Sequence, residues 1–108
     1  MKKSKYVKVV THVPVESLQA VQKAVWDAGA GKEGRYSHCS FTLKGTGFFT
    51  PLEGSKPAIW QVTVAQEVEE YHLEFTCHID LLENVIEELK KAHPYEEVPV
   101  QIYEFFEV

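Results

Sequence analysis

The sequence predicts an α+β domain whose six elements run β-α-β-β-α-β. Three observations carry that reading. Apolar residues recur at helical spacing in two separate stretches, they alternate in the stretches around them, and His93-Pro94 breaks the second helix where the last strand must begin.

The first strand is expected over 5–12, where Tyr6, Val7, Val9 and Val10 form a β-rich run that closes near Pro14. From Val15 the period changes. Leu18, Val21, Val25 and Ala28 then fall on one helical face, and Gly29 follows them as a natural C-cap. The stretch 29–34 is rich in glycine and is expected to be a turn. The alternative, a phosphate cradle, wants such a loop before a helix and a Lys-Ser/Thr pair, whereas this one follows a helix.

A second strand is expected over 35–43, with Tyr36, Cys39, Phe41 and Leu43 among polar residues. Gly45 and Gly47 then mark a bulge or a close backbone approach before Phe48 and Phe49. Pro51, Gly54 and Pro57 mark a loop. Trp60, Val62 and Val64 alternate, and so do Tyr71, Leu73, Phe75, Cys77 and Ile79. The pattern leaves open whether this is one bent strand or two pieces, with Glu67, Glu69 and Glu70 between them expected to face water.

Asp80 is expected to cap the second helix, with Glu83 at capping-box spacing. Leu82, Val85, Ile86 and Leu89 form its buried stripe, and Lys90 and Lys91 suit its negative C-terminal end. The last strand, 98–106, places Val98, Val100 and Ile102 on one face and Gln101, Tyr103 and Phe105 on the other. Two crossovers joined by a hairpin give a ferredoxin-like sandwich: a four-stranded antiparallel sheet with both helices on one face. The other face is left open and bears Tyr103 and Phe105, so self-association is expected.

The 108 residues are expected to form one domain, 1–108. With 11 basic and 16 acidic residues the formal charge is −5, which disfavours nucleic acid and anionic membrane as partners. The lysines at 2, 3, 5 and 8 are expected to form a frayed or solvated end. No apolar run reaches the ~20 residues that cross a bilayer, and no secretory signal is evident. Cys39 and Cys77 show no disulfide framework, so the expected compartment is the cytoplasm with both thiols reduced. Cys77 shares a face with Leu73 and Phe75 and reads as core.

Several blocks together resemble a known family: Gly29-Ala30-Gly31, Gly34-Arg35-Tyr36-Ser37-His38-Cys39-Ser40-Phe41, Gly45-Thr46-Gly47-Phe48-Phe49-Thr50-Pro51, then Gly54, Pro57 and Glu74, and finally Ala92-His93-Pro94-Tyr95-Glu96-Glu97. In this order they are similar to the PII/CutA-like domain of the NGG-interacting-factor-three family, here as a stand-alone chain. The His-Pro-Tyr-Glu turn is also similar to that of CutA, the divalent-cation-tolerance protein. The resemblance covers about residues 5–104. It implies a homotrimer whose sheets pack edge to edge. In that family the domain sits inside a larger dinuclear-metal protein, whose metal-holding halves are not part of this sequence, so no hydrolase activity carries over. Trp60, after Ile59, stands where the family tends to place glycine.

The function expected from these features is a non-enzymatic, oligomeric binding or regulatory module with a small ligand or metal ion at subunit clefts. The residues expected to bind it are Tyr36, Cys39, Ser40, Gly45, Gly47, His93, Tyr95, Glu96 and Glu97. No cofactor is required. A second reading is a CutA-like protein in which Cys39 and His93, with Glu97, hold copper or zinc. Against it, a lone strand cysteine often serves as a small buried apolar residue. A third reading is an accessory subunit of a dinuclear-metal hydrolase. Acid–base chemistry by His93, Glu96 and Glu97 would also need a nucleophile and a cleft, which the sequence does not identify. The plainer role for that turn is architectural, with Tyr95 packed beneath it and its acids bonded to backbone or to a neighbouring chain.

Overall fold

A computed structural model describes residues 1–57 and 60–108. The six elements are β1 (Lys2–Pro14), α1 (Leu18–Asp27), β2 (Phe41–Phe49), β3 (Gln66–His78), α2 (Leu82–Ala92) and β4 (Val100–Glu107). The expected order is met. The sheet runs β2-β3-β1-β4 with each neighbouring pair antiparallel, which is the ferredoxin-like arrangement.

Alternation along the two central strands sends Val7, Val9 and Val13 of β1, and Leu73, Phe75 and Cys77 of β3, toward the helices. Val21 and Val25 of α1 and Val85 and Leu89 of α2 meet them, all essentially without solvent contact. Each such side chain contributes about 1.5–3 kcal/mol of burial, and this layer holds the sandwich together. Cys77 belongs to it, and burial pushes its thiol above the ordinary range.

The helix ends follow the sequence closely. Gly29 (φ +99°) donates to Trp26 O and Ala30 donates to Val25 O, the paired bonds of a Schellman cap on α1. At the end of α2, His93 is extended (φ −84°, ψ 135°), as a residue before proline should be. The helix starts differ from expectation. Each helix is entered through a 3₁₀ turn, Val15–Ser17 and Ile79–Leu81. Asp80 lies within the second of these and does not cap α2. The cap belongs to His78, whose Nδ1 accepts from the Asp80 amide at 3.1 Å.

Four further expectations are corrected. Residues 35–40 are not strand: His38 takes a left-handed backbone (φ 58°), and Cys39 N donates to Gly31 O at 2.8 Å to close a loop. The second strand begins at Phe41 and carries Gly45 and Gly47 inside it. Trp60, Val62 and Val64 lie outside the strands, and Thr63 is left-handed (φ 65°). Of the two readings of the N-terminal lysines, solvation holds, with Lys2, Lys3 and Lys5 exposed, and fraying does not. Lys2 and Lys3 pair with Glu107 and Phe106 of β4, and Lys3 bridges to Glu104 at 2.7 Å.

Glu70 is the fourth. It was expected in water and is only 9% exposed. β3 is a single strand from Gln66 to His78, so Glu70 sits mid-strand, directly opposite Gly45. The paired β2–β3 hairpin makes the molecule elongated, 46 × 25 × 24 Å, with a radius of gyration of 15.1 Å. A compact chain of this length would have about 13 Å.

The open face of the sheet is less apolar than the sequence implies. Its centre is a polar chain in which His12 Nε2 and His72 Nδ1 share a hydrogen bond of 3.1 Å and His72 Nε2 donates to Glu74 at 3.0 Å. Lys8 stands 3.6 Å from the same carboxylate. The bond from His72, with Lys8 adding to it, holds the Glu74 carboxyl below its usual range against the opposing effect of burial. Apolar groups flank this chain: Phe41 and Leu43 on β2, 58% and 57% exposed, and Tyr103 on β4.

Candidate ligand groove

The hairpin arm, the loop after it and the turn after α2 enclose a groove of about 1020 Å³. Its walls are set by local chain geometry. Pro94 stops α2, and the turn that follows carries Tyr95 inward. Phe49 ends β2, and Trp60 returns from the loop to meet both. The ring centroids are 4.5 Å apart for Phe49–Trp60, 5.0 Å for Trp60–Tyr95 and 6.1 Å for Phe49–Tyr95, all tilted or edge-to-face.

Beneath this aromatic wall lies Glu70. The Tyr95 hydroxyl donates to Glu70 Oε2 at 2.5 Å. Burial, and then the bond to Glu70, push the Tyr95 phenol well above its ordinary value, so it remains a protonated donor. Gly47 provides the room: a Cβ there would lie 2.1 Å from Glu70 Oε1. For Oε1 no hydrogen-bond donor is found among the described residues, and Glu70 lines the groove.

His93 stands behind Tyr95, 5% exposed, with ring centroids 4.7 Å apart. Its Nε2 donates to His12 O at 2.7 Å, while its Nδ1 accepts from the Tyr95 amide at 3.2 Å. Both ring nitrogens are therefore spent on positioning the turn against β1. Burial lowers its pKa, and the accepting role of Nδ1 agrees with a neutral ring. Glu96 accepts from the Lys56 amide at 2.8 Å and ties the loop to the turn.

Of the residues singled out in the sequence, Gly45, Gly47, Tyr95, Glu96 and Glu97 line the groove, and His93 supports it. Tyr36, Cys39 and Ser40 do not line it. Tyr36 is bridged to Glu33 and points outward, 78% exposed. Cys39 O lies 3.5 Å from the Trp26 indole nitrogen, and Ser40 Oγ accepts from Gln22 at 3.2 Å. That loop is pinned by Gly31 N to Thr76 O, whereas the His93 end of the molecule lies near His72. Four strand residues separate those points, roughly 13 Å. Among the described residues no group of three or more His, Cys, Asp or Glu side chains forms a metal-holding cluster.

The residues the sequence did not single out are Phe49, Trp60 and Glu70, with His12 and His72 at the groove's inner end. Trp60 carried a signal, as a departure from the family pattern; Ile59, which precedes it, lies outside the described residues. Glu70 gave none, since a third acid in an acidic run reads as solvated.

No protein-family model matches the sequence. The Bacillus subtilis protein named GTP cyclohydrolase 1 type 2 homolog is 43% identical over 96 residues, 89% of this chain and 26% of that protein. The Mycobacterium tuberculosis protein of the same name is 41% identical over 96 residues, 25% of its length. The chain thus spans about a quarter of the curated relatives it matches. Among solved structures, a Bacillus cereus protein related to NIF3 is 40% identical with a TM-score of 0.81, covering 97% of this chain and 27% of that one. CutA1 from Pyrococcus horikoshii has a TM-score of 0.68 at 20% identity, covering 94% of this chain and 85% of that one. At that identity the likeness speaks to fold alone. No helix is long and apolar enough to cross a membrane among the described residues.

Proposed function

Because the chain is a PII/CutA-like domain homologous to a segment of NIF3-related proteins, we propose that it is a non-enzymatic, oligomeric binding module whose small ligand lodges in the aromatic groove. The observation that carries this reading is the convergence of Phe49, Trp60 and Tyr95 over a buried carboxylate. Binding pockets combine such apolar walls with a few placed polar groups. Catalysis is a poorer account, because the raised phenol of Tyr95 and the fully engaged ring of His93 serve as fixed supports and not as proton carriers near neutrality.

Assembly with further copies, as a homotrimer, is part of the proposal. Both edge strands leave apolar residues in solvent: Phe41, Leu43 and Phe48 on β2, Ile102, Tyr103 and Phe106 on β4. Exposed edges of that character are natural sites of strand-to-strand contact. A metal reading through Cys39 and His93 has less support, since His93 would have to surrender its bond from Tyr95 and Cys39 lies elsewhere. A role serving a hydrolase is favoured only by the longer relatives, whose names include GTP cyclohydrolase.

The test is a thermal-shift panel of small molecules of varied charge and shape on wild type and Trp60→Ala. At least one should raise the melting temperature of wild type and lose that effect in the variant. Equal shifts in both proteins would remove the groove as the site.

A further inference from the structure

We infer that the groove selects an organic cation: a protonated amine or guanidinium group carried on a flat or apolar body. The inference deepens the reading of the groove as a ligand site and rests on it.

The first observation is the state of Glu70. It is nine-tenths buried, and Tyr95 satisfies only one of its oxygens. Among the described residues no buried side-chain nitrogen or oxygen lacks a partner, so the second oxygen keeps solvent contact, and since Glu70 lines the groove it is a strong acceptor for whatever fills that space. The second is the charge of the lining. Glu53, Glu70, Glu96 and Glu97 stand against Lys44, and Lys44 is itself 3.8 Å from Glu69. The lining carries more acid than base, so a phosphate-bearing ligand would meet like charge. The third is the wall. Electron-rich faces of Trp60 and Tyr95 favour cations within about 6 Å of a ring centroid.

Each feature alone is ordinary, but together they fix polarity and shape at once. The carboxylate accepts N–H donors at the floor, the rings stack on the flat body, and Gly47 leaves the space in which Glu70 lies.

The test uses four probes of similar size in calorimetric titrations: phenylguanidinium, benzylammonium, benzyl alcohol and benzoate. Phenylguanidinium should bind at least about tenfold more tightly than benzyl alcohol, and benzoate should bind more weakly still. Glu70→Gln keeps the size of the side chain and an acceptor for Tyr95. It should weaken the two cations about tenfold or more while leaving benzyl alcohol unchanged. If benzoate binds as well as the cations, or Glu70→Gln leaves their affinity intact, the cation inference fails and the groove reading survives. If no probe binds and the wider panel also fails, both fall.

Discussion

The Glu70 carboxylate lies where the side chain of residue 47 would have to be, 2.1 Å from the Cβ position that Gly47 leaves empty. The floor of the groove therefore depends on a missing methyl group on the neighbouring strand. Gly47→Ala should displace Glu70 and break its bond from Tyr95, costing about 1–3 kcal/mol. Gly45→Ala, with no atom within 4 Å of its Cβ position, should stay within about 0.5 kcal/mol of wild type. Denaturant unfolding of the two variants measures the contrast.

Tyr95→Phe removes the only hydrogen bond found for Glu70's side chain among the described residues, and should also destabilise by about 1–3 kcal/mol. The phenol's pKa is raised in the folded state, so the unfolded chain loses its proton first. The stabilisation is present below about pH 10 and is lost as pH rises from there toward the folded value. Ultraviolet titration of the phenols should show one of the five tyrosines ionising later than the rest, and that lag should vanish in the variant.

His93 works in the opposite direction. Its folded pKa lies below the ordinary 6.5, chiefly through burial. The unfolded chain takes up the proton first on acidification. Stability is full above about pH 6.5 and falls as pH drops from there toward the folded value. Protonating Nδ1 also removes the acceptor for the Tyr95 amide. Nuclear magnetic resonance titration should find one of the five imidazoles neutral, with its proton on Nε2, to a lower pH than an ordinary histidine. Replacing it, as His93→Gln, should flatten the acid limb of the stability profile.

The architecture was legible because it rests on local chemistry. The stripes of α1 and α2, Gly29 at a helix end and Pro94 at another each act within a few residues, and each does so in the structure. The errors arose where tertiary contact decides. Alternation over 35–40 looked like strand, but the backbone there is committed to Gly31 and the loop beside Trp26. Gly45 and Gly47 read as a bulge or a close backbone approach; they lie in regular strand, and the close approach, at Gly47, is to a side chain twenty-three positions away. The turn at Tyr95 and Glu96 was visible in the sequence. Its partners Glu70, Phe49 and Trp60 were not, because only folding brings them to it.

Edge-strand contacts can be separated from the groove. Phe41→Asp with Leu43→Asp places charge on an exposed part of β2 and should leave the fold intact, since both side chains are more than half exposed. If that edge joins copies together, the doubly substituted protein should sediment as a smaller species with an unchanged circular dichroism spectrum. An unaltered sedimentation coefficient would move the contact to another surface.

Light scattering coupled to size exclusion, over a dilution series of the untagged protein, tests most directly whether the groove belongs to an assembly of copies. A mass of three times 12.3 kDa that persists into the low micromolar range is the expected result. A mass of 12.3 kDa at every concentration would contradict it.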